Sequence, residues 1–263
     1  MKRVLDIYRL TTSRFRSLPD FIIIGAMKSG TSSLFAYLAQ HPQVRTISDK
    51  EIHFFDFEFS KGELWYRSHF PLSRSYITGE ASPYYLCHPH APRRIHNLLP
   101  SVKLIAILRN PTNRAISHYF HAVRMGFETL PIMEALQAEE DRLRPEWDRM
   151  LKDESYNSRC YPWFSYKQRG IYIDQLERYW QYCDKDNLLC LNADRFFSET
   201  RNVLKHVFEF IGVESDFEPI DFSPRAVGSN RAEVPSSVHE YLDDFFSLHN
   251  QKLYKCLGQN LGW

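Results

Sequence analysis

The residues Gly25–Ser33, GAMKSGTSS, lie between an apolar run and a helical pattern. A glycine-containing turn placed there lets backbone N–H groups converge, and the following helix N-terminus adds partial positive charge. Lys28, Thr31 and Ser32 add side-chain donors and one full cation, so the segment can cradle a phosphate or a sulfate. Gly25 and Gly30 keep the GxxxxG spacing of the nucleotide P-loop, but Thr31 stands where that motif has lysine, and Lys28 precedes the second glycine. From that position a lysine reaches over the loop to a terminal anionic group. The plain alternative is a strand-to-helix turn whose Thr31 and Ser32 only cap a helix.

A second pair, Arg109 and Ser117, sits in RNPTNRAISHY directly after the run VKLIAIL. Pro111 suits a first helical turn, so Arg109 emerges at a strand end and Ser117, two turns on, returns to the same edge. Together they form a second phosphate clamp, with the bidentate reach of a guanidinium. A third group, KEIHFFD at 50–56, sets Glu51 and His53 beside Phe54 and Phe55. One of these side chains can take a proton from an acceptor hydroxyl, and burial against the rings would raise a carboxylate's pKa toward a useful range. Taken alone, the pair also reads as a surface glutamate and a core-edge histidine, and its position relative to the anion loop decides between the two.

These groups need a scaffold that delivers strand ends to one edge. Phe21–Gly25, Val102–Leu108 and Leu188–Asn192 read as buried parallel strands, with Tyr76–Gly79 as a weaker fourth. Helical spacing follows in Leu34, Tyr37 and Leu38, in Ala115, Ile116, Tyr119 and Phe120, in Tyr172, Leu176, Tyr179 and Cys183, and from Val238 to His249 after a Pro235–Ser236 start. The alternation predicts an α/β, three-layer, P-loop-like fold with a central parallel sheet flanked by helices. Residues 1–20 read as a basic, frayed lead-in, with weak membrane-surface contact through Val4, Leu5, Ile7, Tyr8 and Leu10 as the alternative, and 21–263 as a single domain. Within it, 139–170 begins charged and turns aromatic. It reads either as an acceptor-side insertion or lid, or as a solvated helix and a loop packed by its own rings.

Composition narrows the function classes. The chain has 263 residues, 43% hydrophobic and 25% charged, with a formal net charge of +1, which excludes intrinsic disorder and a collagen-like chain. Near-neutral charge gives no footprint for nucleic acid, so an anion site must be made locally. Five cysteines without metal or framework spacing signal neither zinc nor a disulfide scaffold, and they point to a reducing, cytoplasmic setting. No apolar run reaches transmembrane length.

The segments KSGTSSL, HPQVRTISDKEIHFFD with KGELWYRSHFP, RNPTNRAISHY, RGIY and the terminal LGW occur in an order that resembles the sulfotransferases using 3′-phosphoadenosine 5′-phosphosulfate (PAPS). The similarity is greatest to the heparan sulfate glucosaminyl sulfotransferase type and its bacterial relatives, and it runs from about Phe21 to Trp263. It implies that Lys28, Ser29, Gly30, Thr31 and Ser32 hold the 5′-phosphosulfate, with Lys28 near the bridging oxygen. Arg109 and Ser117 would hold the 3′-phosphate, Tyr172 would line the cofactor end, and Glu51 would be the general base, with His53 the alternative. In-line sulfuryl transfer without a metal follows, and proton removal contributes roughly 10²- to 10⁴-fold.

Departures from the family pattern qualify the transfer of roles. The basic cofactor loop reads AVGSNRAEVP here, leaving Ser229, Asn230 and Arg231 as substitutes, and the family's disulfide hairpin is missing. Ala81 replaces a lysine found in the heparan-modifying enzymes, which argues against a heavily anionic polysaccharide. The expected acceptor is a hydroxyl, less readily an amine, of a carbohydrate, lipid or small natural product. The competing readings are a P-loop nucleotide kinase and a non-catalytic nucleotide-binding protein of the same fold.

Overall fold

The structure is a computed structural model and describes residues 2–47, 51–72, 75–225 and 233–263. Five strands, β1 (Phe21–Gly25), β2 (Val44–Thr46), β3 (Ile77–Ala81), β4 (Lys103–Leu108) and β5 (Leu188–Asn192), form one sheet. Its order is β2-β3-β1-β4-β5, with every pair parallel. β1 is central and buried throughout, as a strand covered on both faces must be. Phe21 pairs in register with Gly79, and a Cβ on Gly79 would lie 2.2 Å from the Phe21 ring. The ring therefore crosses β3 at a position that accommodates no side chain.

The helices are α1 (Lys2–Thr11), α2 (Thr31–Leu38), α3 (Glu63–Arg67), α4 (Ala91–Leu98), α5 (Pro111–Arg124), α6 (Ile132–Lys152), α7 (Tyr161–Phe164), α8 (Tyr172–Trp180), α9 (Ala193–Ser198), α10 (Thr200–Ile211) and α11 (Ser236–Leu257). This is the three-layer α/β architecture that the alternation predicts. The two helices that begin at strand ends near the site, α2 and α5, start differently. Asn110 caps α5 by accepting from the Asn113 amide at 3.0 Å, whereas Gly30 leaves α2 without a side-chain cap.

Three sequence expectations change. β2 goes unpredicted because it is a three-residue edge strand of mixed polarity. The N-terminal segment is not a frayed lead-in: α1 is helical, and Arg16 is buried with Nη1 donating to the Phe70 carbonyl at 2.6 Å. Residues 139–152 are the latter part of a 21-residue helix that starts at Ile132. Ala135, Leu136, Glu139, Leu143 and Met150 are the buried residues of α6, and the Glu139 carboxylate accepts from the Lys167 and Gln168 amides at 2.6 and 2.7 Å. Burial pushes the Glu139 pKa up to about 7 against those hydrogen bonds. The aromatic segment after α6 is thus tied to the helix and forms a wall of the cleft described next.

Candidate active site

At the carboxyl ends of β1, β3 and β4 lies an open cleft of about 1020 Å³. The loop after β1 forms its floor. Gly30 has φ of +100°, and a Cβ there would lie 2.7 Å from the Phe197 ring, so both backbone and packing demand glycine. Ser29 Oγ is buried beside the Tyr172 hydroxyl without a well-formed hydrogen bond, and the first turn of α2 carries no side-chain cap. Both features suit an anion set at the helix start. Arg109 Nη1 donates to the Lys28 carbonyl at 3.1 Å, and Tyr172 Oη donates to the Arg109 carbonyl at 2.9 Å. The strand-end arginine therefore braces the loop, and a buried tyrosine braces the arginine. Burial first, then the neighbouring Arg124 and Arg109, lowers the Lys28 pKa, while burial, Lys28 and Arg124 lower that of His121. A chain of almost zero net charge thus concentrates positive charge in one place.

Glu51 and His53 line the same cleft from the β3 side. Among the described residues, the non-glycine residues with positive φ are Lys28 (69°), Glu51 (67°) and His53 (56°), and all three line this cleft. Such backbone persists only where surrounding contacts over-determine it. For the Glu51–His53 segment those contacts come from β3 and the turn after it. The Glu51 amide donates to the Ala81 carbonyl at 3.0 Å, the His53 amide to Ser82 Oγ at 3.3 Å, and the Phe54 amide to Tyr85 Oη at 2.8 Å. Buried Glu80 organises the last two by accepting from Ser82 Oγ at 2.8 Å and Tyr85 Oη at 3.2 Å, together with Tyr66 Oη at 2.6 Å. Burial raises the Glu80 pKa to about 7, opposed by these hydrogen bonds.

His53 joins two carboxylates. Nδ1 lies 2.8 Å from Asp56 Oδ2, whose side chain is fully buried, and Nε2 lies 3.5 Å from Glu51 Oε2. Burial alone would lower the imidazole pKa, but hydrogen bonds and charge from Asp56 and Glu51 win and raise it to about 10. His53 is therefore an imidazolium at neutral pH, a poor proton acceptor that is well suited to orienting Glu51. The expectation that Phe54 and Phe55 desolvate the carboxylate is corrected. Both rings turn into the core, Phe54 stacking on Tyr66 at 4.4 Å, while the Glu51 side chain is 42% exposed.

The cleft is thus lined by Lys28, Ser29, Gly30, Thr31 and Ser32, by Arg109 and Ser117, and by Glu51 and His53. Tyr172 is not brought to it, because its ring is buried against Trp263 and its hydroxyl is spent on the Arg109 carbonyl. Ser229, Asn230 and Arg231 lie outside the described residues. Sequence reasoning missed Asp56, whose signal was its i+3 spacing from His53, and Glu80, whose role shows only once β3 is buried. It also missed Trp163 and Arg169 on the wall between α6 and α8. All five cysteines are free, and among the described residues no group of three His, Cys, Asp or Glu side chains is placed to hold a metal.

The Sulfotransferase domain family model matches residues 18–232. Heparan sulfate glucosamine 3-O-sulfotransferase 6 of Mus musculus is 30% identical, the match covering 94% of this chain and 74% of the relative. The crystal structure of a sulfotransferase from Alicyclobacillus acidocaldarius superposes with a TM-score of 0.76 at 30% identity, covering 92% of this chain and 97% of that one. The membrane-associated sulfotransferase kil1 of Dictyostelium discoideum is 25% identical over 94% of this chain and 66% of its own length. These relatives correct the expectation of a cytoplasmic protein: one is membrane-associated by name, and unpaired cysteines do not specify a compartment. Among the described residues no helix is long and apolar enough to cross a membrane. The match over most of the chain also sets the kinase reading aside, and the chain belongs to the sulfotransferase family.

Proposed function

We propose that this sulfotransferase takes its sulfuryl group from PAPS and delivers it to a carbohydrate hydroxyl. The observation that carries the reading is the convergence, on one cleft, of an anion loop bearing Lys28, a strand-end Arg109 with Ser117, and a carboxylate, Glu51, held on the β3 side. The buried Ser29 hydroxyl and the uncapped first turn of α2 fit a 5′-phosphosulfate, and Arg109 with Ser117 fits the 3′-phosphate. When bound, PAPS supplies an activated sulfuryl group whose S–O bond to phosphate breaks as the acceptor oxygen attacks.

The residues of the chain do the rest. Glu51 takes the hydroxyl proton, and His53, kept cationic by Asp56, fixes the carboxylate and steadies it while it is charged. Lys28 and the loop amides stabilise the charge that develops on the leaving phosphate oxygen, the kind of preorganised electrostatics on which phosphoryl-type transfers depend. A carbohydrate acceptor is favoured by the relatives, several of which are named for heparan sulfate.

Calorimetric titration with 3′-phosphoadenosine 5′-phosphate (PAP), in parallel with ATP and ADP and without magnesium, tests the donor. Preference for the 3′-phosphorylated ligand supports it, and equal or better binding of ATP contradicts it. A protein that binds PAP yet transfers no sulfuryl group to any carbohydrate would be a non-catalytic nucleotide binder.

A further inference from the structure

The buried arginines of this protein are satisfied in different ways. Arg94 gives its guanidinium to the carbonyls of Phe55, Asp56 and Glu154, and Arg16 gives Nη1 to that of Phe70. Arg114 donates to the Tyr166 carbonyl. Arg169 has nothing of the kind. It is 5% exposed, its Nη1 donates to the thioether sulfur of Met27 at 2.7 Å, and its guanidinium lies over the Tyr84 ring at 4.6 Å. Its Nε is buried with no partner, as are Arg94 Nε and both Nε and Nη1 of Arg114. Among the described residues no carboxylate is within ion-pairing distance of Arg169, and what sets it apart is that no backbone carbonyl takes its guanidinium and that it lines the cleft. A thioether is a weak acceptor, and an aromatic face offsets only part of the cost of desolvating a cation.

The surrounding charge makes the deficit larger. The fully buried Arg114 is a second cation in the field of Arg169, and the buried carboxylates that act on the same neighbours are committed elsewhere: Glu139 to the Lys167 and Gln168 amides, and Asp56 to His53. Arg169 lines the cleft between its two functional sides. Met27, which it touches, immediately precedes Lys28 in the anion loop, and Tyr84 follows Ser82, which holds the His53 amide.

We infer that Arg169 is an oxyanion-binding residue of the active site, taking a sulfonate or carboxylate oxygen that lies between the donor loop and Glu51. The assignment rests on the sulfuryl-transfer reading for the source of that anion, which is either the sulfuryl group in transit or an acidic substituent of the carbohydrate acceptor. The two sources share one chemistry and separate experimentally. If the anion is the sulfuryl group, Arg169→Gln weakens PAPS binding by tenfold or more and leaves PAP, which lacks that group, within twofold. If it belongs to the acceptor, both nucleotides bind as in the wild type, and the KM for a sulfated heparan oligosaccharide rises tenfold or more while that for a neutral chito-oligosaccharide does not.

Arg169→Lys, which keeps charge but loses the fork, recovers part of either loss and guards against a variant that fails to fold; thermal unfolding of each variant checks this directly. Inorganic sulfate, titrated with the free protein and with the PAP-bound protein, gives a readout that survives failure of the donor reading. A protein that binds no PAP but loses sulfate-induced thermal stabilisation in Arg169→Gln refutes the donor and keeps the oxyanion site. Folded Arg169→Gln that binds PAP, PAPS, sulfate and both oligosaccharides like the wild type overturns the inference, leaving Arg169 as a packing residue.

Discussion

The two sides of the cleft are built by different means. The anion side is made of consecutive residues at strand ends: a glycine turn, a helix start, and an arginine one residue past β4. The β3 side is assembled from Glu51, His53, Asp56, Glu80 of β3 and Ser82 just after it, with Tyr85 behind them, all held by side-chain hydrogen bonds. The sheet positions the first side almost automatically, whereas the second depends on a buried polar network in which each member sets the next. Nucleotide binding should therefore be separable from chemistry, and perturbations of one side should leave the other standing.

The largest effect is expected from Glu51→Ala, which removes the proton acceptor from the network. Turnover, measured as transfer of label from PAPS to a carbohydrate, should fall about 10²- to 10⁴-fold, the usual contribution of a general base. Arg109→Ala strikes the other side. It deletes charged hydrogen bonds worth about 1.5–3 kcal/mol, so PAP affinity by calorimetry should drop about 10- to 100-fold.

Gly30→Ala tests whether loop geometry is the basis of the anion side. The positive φ and the Phe197 ring make the new methyl costly, about 1–3 kcal/mol, visible as a lower unfolding temperature together with weaker PAP binding. Asp56→Asn has the smallest expected effect, and it is read in pH. In the wild type the folded-state pKa of His53, about 10, lies above its unfolded value. Its contribution to stability is therefore complete below about 6.5 and is lost as pH rises through about 10. Removing the Asp56 charge should shift that loss to lower pH, measurable as an earlier decline in unfolding temperature and as an earlier His53 titration by NMR.

The same division governs what the sequence reveals. β1 and β4 are legible because central parallel strands are continuous apolar runs, and β5, an edge strand, is legible because it still begins with the apolar run LLCL. The anion loop is legible because its glycines and lysine are close in sequence. β2 is not, since a three-residue edge strand carries no periodicity. Lys28, Arg109, Ser117, Glu51 and His53 can be nominated from residue type and spacing, and the structure places them around one cleft. The protonation of His53 cannot be read in advance, because it depends on Asp56 being fully buried beside it. Arg169 is invisible for a similar reason: nothing in KQRGIY tells that its guanidinium ends over Tyr84 with no carboxylate in reach.

The most direct measurement is the PAP affinity of Glu51→Ala, determined calorimetrically beside its turnover. The two-sided cleft predicts a dissociation constant within twofold of the wild type while turnover collapses. A loss of PAP affinity that parallels the loss of turnover would contradict it, placing Glu51 in the support of the anion loop instead of in the chemistry.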